Sequence, residues 1–200
     1  MAKASWAVVN PSSGSGNKTV NVSSSSEHTG RNARSTVLTI TAANVEAKTV
    51  NVTQAGKPAY VDSQDSATAA KAGQSVTISG KANGQKLTFT LGAGNLDVVL
   101  PATYTAGGVT TNNGTAISGD PGATAEYNWS IVLSVPENKT IGELTKQIVV
   151  TDEGGNSDTC LLTQAAGDAT LSVSKTAIEL TYQGTPVSFD VTSNTSWTIS

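Results

Sequence analysis

The strongest constraint on the fold is that the chain repeats itself, and does so out of order. Residues 36–56, TVLTITAANVEAKTVNVTQAG, lie over 146–167, KQIVVTDEGGNSDTCLLTQAAG, at an offset of 110 that holds up to Gln54 and Gln164. Leu38 and Ile40 fall on Ile148 and Val150, and Val50 and Val52 fall on Cys160 and Leu162. Just upstream, NKTVNVS (17–23) matches NWSIVLS (128–134) with one further residue of offset. A different stretch is also doubled: AGQSVTISGKANGQKLTFT (72–90) runs over QGTPVSFDVTSNTSWTIS (183–200), which brings Asn83 onto Asn194. The rear of a unit thus comes first (1–56), a whole unit follows (57–167), and the front of a unit comes last (168–200).

Inside each copy the apolar residues alternate, as in Val187, Phe189, Val191 and then Trp197 and Ile199. A period of two belongs to half-buried strands, and the runs are short and separated by Gly, Asn, Ser and Pro. Hydrophobic residues are 37% of the chain and charged ones 14%, and Val, Ile, Leu and Thr recur in alternation rather than in polar tracts, so the chain is neither helical nor disordered. About seven short strands per full unit is the count of an immunoglobulin-like sandwich. The expected fold is all-β: one continuous sandwich, 57–167, and one split between the terminal segments. Within the continuous unit, 92–127 is a long Gly/Asn-rich insertion. A connection of that length carries structure or function of its own, and Val109–Ser118 is expected to form an extra hairpin or arm that contacts a neighbouring chain.

Charge and cysteine usage remove several classes of function. A net charge of −3 gives no electrostatic footprint for nucleic acid. Residues 1–57 hold six Lys/Arg against Glu27 and Glu46, for +4; residues 168–200 hold Lys175 against three acids, for −2. One cysteine, Cys160, excludes an internal disulfide. No stretch approaches a membrane span, and MAKASWAVVN has neither a basic segment with an apolar run nor a cleavage site. The expectation is a protein that stays in the compartment where it is made.

No residue set reads as catalytic, and no cofactor is implied. His28 is the sole histidine, set in SSSEHTGRN, and is expected in a surface loop. Cys160 takes the place of Val50 in the repeat and is expected in the core. TDEGGNSD (151–158) gathers Asp152, Glu153, Asn156 and Asp158, so Asp152 and Asp158 are the candidate ligands for a metal such as Ca²⁺; the matching turn TAANVEAK lacks these oxygens, which favours a plain hairpin turn. Trp6 is in phase with Val8, and Trp197 with Ile199, so both are expected to be core. Trp129 and Tyr104 remain candidates for contact with a ligand, a sugar above all. Gln54 and Gln164 share a face with core residues and are expected to bond buried backbone groups.

TSNTSWTIS joined to SWAVVNPSSGSGNKTVNV, then GRNARSTVLTIT and KTVNVTQAG, resembles the BACON domain, an Ig-like module of Bacteroidetes proteins and their phages. The resemblance rests on Asn194, Trp197, Trp6, Pro11, the SGSGN turn, Arg34 ahead of a strand and the closing Val-Thr-Gln. It covers the two split segments, and in 57–167 only the ends. The family carries a presumption of carbohydrate binding. Its signal-less forms resemble virion proteins of crAss-like phages, where such domains decorate heads and fibres; the resemblance therefore implies a virion protein made in the host cytoplasm.

The split unit then sets the expected partner. Residues 168–200 present Val187, Phe189, Val191, Trp197 and Ile199; residues from about Ala4 onward present Trp6, Val8, Val20 and Val22. These nine are the expected interface, the front segment being completed by a second copy or by the same chain. The expected function is a non-enzymatic structural protein, a capsid-decorating or head-fibre component assembled by strand complementation as a homo-oligomer on the capsid shell. The alternative is a surface or adhesion module that binds host or mucosal glycans. Neither nucleic acid nor membrane is an expected partner.

Overall fold

The computed structural model describes residues 2–200. The rear segment holds β1 (Ala7–Asn10), β2 (Asn21–Ser24), β3 (Arg34–Ala42) and β4 (Val45–Gln54). The whole unit holds β5 (Val61–Ser63), β6 (Ser66–Ala69), β7 (Gln74–Ala82), β8 (Leu87–Gly94), β9 (Thr103–Ala106), β10 (Val109–Asn112), β11 (Tyr127–Val135), β12 (Leu144–Asp152) and β13 (Ser157–Gln164). The front segment holds β14 (Leu171–Val173) and β15 (Val191–Ser193). One 3₁₀ turn, Pro121–Ala123, is the only helical element among the described residues. The protein is all-β.

In 57–167 two sheets face each other, ordered β10-β9-β11-β7-β5 and β6-β13-β12-β8. Alternation drives both. Along β11 the side chains of Tyr127, Trp129, Ile131, Leu133 and Val135 all point inward, with Ser, Asn and Val between them turned out. Ile148, Val150, Cys160 and Leu162 close the opposite wall. At the centre, Phe89 packs edge-on against Trp129 with ring centroids 5.2 Å apart. The first strand changes sheets: β5 pairs with β7, and three residues later β6 pairs with β13. That last pairing is parallel. First and last strands therefore run the same way, and the chain arrives at one pole of the sandwich and leaves at the other.

The insertion differs from expectation. The hairpin lies at Thr103–Asn112, ahead of Val109–Ser118, and it is no free arm: β9 pairs with β11, and Tyr104, Ala106 and Ile117 are buried in the core. The turn is made by Gly107 and Gly108, with φ of 56° and 82°. Positive φ at both positions is the type I′ hairpin turn, which this glycine pair adopts without strain.

The terminal segments repeat pieces of the whole unit at the level of register. In β3 and β4, Arg34 faces Gln54 and Leu38 faces Val50; in β12 and β13, Leu144 faces Gln164 and Ile148 faces Cys160, each number 110 higher. In β14 and β15, Leu171 faces Ser193 and Val173 faces Val191, as Val61 faces Ala82 and Ser63 faces Gly80 in β5 and β7. Among the described residues no strand pairing links the rear segment to 168–200.

Candidate functional site

The feature that sets the terminal segments apart is what their sheets leave open. Ile131, Leu133, Val150 and Cys160 are buried in the whole unit, while their counterparts Val20, Val22, Ile40 and Val50 are exposed. Val8 is exposed beside them, and in the front segment so are Val187, Phe189, Trp197 and Ile199, with Val191 half-buried. Burying an aliphatic or aromatic side chain is worth roughly 1.5–3 kcal/mol, so the five front-segment residues alone forgo about 7–15 kcal/mol gross while uncovered. Open apolar strands of this kind also invite pairing with another chain.

Aromatic placement separates the three tryptophans. Trp6 is half-buried, and the Arg34 guanidinium lies 4.8 Å from its ring centroid, so its face is occupied. Trp197 is 47% exposed. Trp129 is 2% exposed, and its indole Nε1 donates to the Asp62 carbonyl at 3.2 Å. Tyr104 is equally buried; its hydroxyl donates to the Thr115 carbonyl and accepts from Leu87 N–H. Neither Trp129 nor Tyr104 can stack on a ligand. Both rings pack against Phe89 in the core instead, at centroid distances of 5.2 Å.

Two joints connect the three segments, and they are built alike. At the upstream pole Asn83, fully buried, holds the connection: its Nδ2 donates to the carbonyls of Thr29, Lys57 and Pro58, and its Oδ1 accepts from Tyr60 N–H. At the downstream pole Asn194 donates to the carbonyls of Lys139 and Asp168 and accepts from Thr170 N–H. Thr29, Pro58 and Tyr60 become Lys139, Asp168 and Thr170 by adding 110. The same shift converts Lys57 N–H to Gly30 carbonyl, 2.8 Å, into Gly167 N–H to Thr140 carbonyl, 2.7 Å. It also converts His28 Nε2 with the Asn32 carbonyl into Asn138 Nδ2 with the Gly142 carbonyl. His28 is therefore a joint residue, 8% exposed, and not a surface-loop residue: its loop is pressed onto the next unit.

The upstream joint has a further layer. Arg31 N–H and Asn32 N–H donate to the carbonyls of Gly122 and Ala123, both at 2.9 Å. The Arg31 guanidinium donates to both Asp120 carboxylate oxygens at 2.7 and 3.0 Å and to the Asn83 carbonyl at 2.6 Å, with Glu153 at 3.8 Å. Gly122 sits so close that a Cβ there would lie 1.9 Å from the Asn83 carbonyl oxygen. Beside it Glu126 accepts from Lys81 and from the Tyr60 hydroxyl, and these bonds hold its carboxyl below the usual range. Sequence reasoning aligned Asn83 with Asn194 without recognising a joint; the signal was a polar residue kept where the strand pattern around it is apolar.

The remaining chemistry is structural. Asp152 Oδ1 accepts from Gly154 and Asn156 N–H, Asp158 Oδ2 from Ser63 N–H, and Glu153 from Gln85 and Lys86 N–H. The carboxylates of 151–158 thus tie the hairpin turn to its neighbours, and among the described residues no cluster of three His, Cys, Asp or Glu could hold a metal. Burial pushes the Cys160 thiol up to about 11. Gln164 Nε2 donates to the carbonyls of Ala70 and Pro136, and Gln54 Nε2 to that of Ser26. At the downstream joint an open hollow of about 470 Å³ lies among Lys71, Asn138, Lys139, Gly167, Asp168 and Asn194. Among the described residues no helix is long and apolar enough to cross a membrane.

Residues 1–55 match the family model of the BACON domain, described as "Putative binding domain, N-terminal". Residues 1–55 are thus similar to a BACON, Ig-like domain. No curated protein matches the chain. Among solved structures the chain is similar to the collagen binding domain of Erysipelothrix rhusiopathiae surface protein RspB, at 10% identity and a TM-score of 0.20. The match covers 74% of this chain and 64% of that one. A superposition this loose carries no inference about what this chain binds.

Proposed function

We propose that the protein is a non-enzymatic structural and interaction component that assembles by β-strand complementation, the front segment of one copy completing the rear segment of another. Its place is on a virion, as a capsid-decorating or head-fibre protein in contact with the capsid shell. The observation that carries this reading is the pair of uncovered sheet faces, which are complementary parts of one unit. Residues 168–200 contain the counterparts of β5, β7 and the start of β8; residues 1–56 contain those of the stretch at Val99, which bridges to Ser134 as Val8 pairs with Ser23, and of β11, β12 and β13. Neither segment duplicates the other.

Paired changes in side-chain size support it. In the whole unit Gly80 stands directly opposite Trp129, and a Cβ on Gly80 would come 2.6 Å from the indole. At the matching positions of the terminal segments stand Val191 and Lys18. The residue that could not grow has grown where the indole facing it is replaced by an unbranched chain, as expected of two residues that meet across strands.

The virion placement is supported by the resemblance of the terminal segments to virion forms of these domains. The test of assembly is the mass of the native particle beside that of the denatured chain, 20.2 kDa. The expected result is a multiple of the chain mass at micromolar concentration. A monomer in which Trp197 is covered by its own Trp6 segment would contradict it. A second reading, a glycan-binding surface module, is favoured by two open aromatic rings of the front segment, Tyr182, 95% exposed, and Trp197. That reading requires both rings to stay open in the assembled protein.

A further inference from the structure

We infer that loop 138–142 at the downstream joint, beside the hollow, is a second docking seat, and that a second copy of this chain covers it with its Pro11–Gly16 turn and its Ala43 turn. This rests on strand complementation between copies and goes beyond the paired faces: it places a contact on the whole unit itself, continuous with the joint already formed at Asn194.

The upstream joint is the template. There, loop 28–32 is gripped from two sides: by the Asn83 connection and by the segment that precedes β11, whose Gly122 and Ala123 carbonyls accept from Arg31 and Asn32 N–H. The downstream joint reproduces only the first grip. Its loop, 138–142, is held by Asn194 and Gly167, but the N–H groups of Ile141 and Gly142, the counterparts of Arg31 and Asn32, have no protein acceptor among the described residues. Ile141 is 51% exposed. The segment that precedes β11 has its counterpart in the stretch that precedes β2, Pro11–Gly16, whose residues Ser12 to Gly16 are all Ser or Gly. Residues that small can approach the Asn194 backbone as Gly122 approaches that of Asn83.

The chemistry on the two sides has changed together. Arg31 faces Glu153 across the upstream joint. Adding 110 to 31 gives Ile141, and subtracting 110 from 153 gives Ala43. An ion pair in one joint becomes an apolar pair in the other, with neither charge left behind. Ala43 is exposed in the β3–β4 turn, so it is free to meet a neighbour. The second copy supplies acceptors to Ile141 and Gly142 N–H and an apolar cover to the Ile141 side chain. It also locks the angle between successive copies, because both joints then share one construction.

The test is a charge-rescue series on the full chain, read as the association constant by sedimentation over a dilution series. Both substituted positions are exposed, so the variants keep the fold, which a thermal melt checks. Ile141→Glu is expected to weaken association several-fold, and adding Ala43→Arg to the same chain is expected to restore it, the recovery fading with added salt. Phe189→Asp, on the strand face, serves as the reference for complementation itself. If Phe189→Asp abolishes assembly while Ile141→Glu leaves it unchanged, or if Ala43→Arg brings no recovery, the seat is overturned and complementation stands. If the unsubstituted chain is a monomer throughout, both fall.

Discussion

Asn83 shows how much one side chain can hold. It has no exposed surface and makes four hydrogen bonds to backbone groups of three consecutive structural pieces: the loop at Thr29, the connection at Lys57 and Pro58, and the approach to β5 at Tyr60. Removing it strands those groups in a place water reaches poorly, where each unsatisfied group costs about 1–3 kcal/mol. Asn83→Ala is therefore expected to lower unfolding stability by roughly 2–4 kcal/mol in a denaturant titration. Asn194 makes three equivalent bonds but is only half-buried, so Asn194→Ala is expected to cost about 1 kcal/mol or less in the isolated chain. Equal losses at the two positions would mean that the downstream joint is already closed without a partner.

At the scale of elements, the period-two pattern made the strands legible, and the internal offset showed which strands correspond. It could not show where the first strand changes sheets, because the Gln64–Asp65 step that separates β5 from β6 looks like an ordinary polar pair. Nor did it place the hairpin correctly: the Gly107-Gly108 signal was on view, but the strand before it, TYTA, has only two inward side chains, too few to stand out as alternation. The ungapped alignment of 72–90 with 183–200 also hid a slip. Leu87 and Phe89 are buried, yet the residues 111 further on are Thr198 and Ser200, while the apolar pair is Trp197 and Ile199. The turn after Asn194 is thus one residue shorter than the turn after Asn83. Burial also decided what spacing alone left open, since Trp129 and Tyr104 belong to the core and no reading of neighbours in sequence could tell. The docking of β5 turns on Gly80, where an added Cβ would meet the Asp62 carbonyl oxygen at 1.9 Å. Gly80→Ala is expected to detach β5, seen as fast amide exchange at Val61–Ser63 while the β11 and β12 amides stay protected. Unchanged protection in β5 would show that the edge strand shifts to make room.

For the whole molecule the parallel pairing of β6 with β13 is decisive, because it sends the chain out at the pole opposite its arrival. β13 alone, at eight residues, spans about 26 Å. The rear segment docks at one pole and the front segment at the other, so the two uncovered faces are held apart by the unit between them. Under the proposed complementation copies join head to tail, and the +4 of residues 1–57 and the −2 of residues 168–200 are complementary in sign. The register of the whole unit says which residues the proposal brings together: Leu133 faces Val76 there, so complementation would set Val22 of one copy opposite Val187 of the next. Directly opposed residues on antiparallel strands have Cα atoms about 4.5–5.5 Å apart, within reach of a disulfide. The most direct measurement is to oxidise the double variant Val22→Cys, Val187→Cys and weigh the products under denaturing, non-reducing conditions. Covalent multimers of the chain, collapsing to single chains on reduction, are the predicted result. A single chain carrying an internal disulfide, or free thiols at both positions, would contradict it.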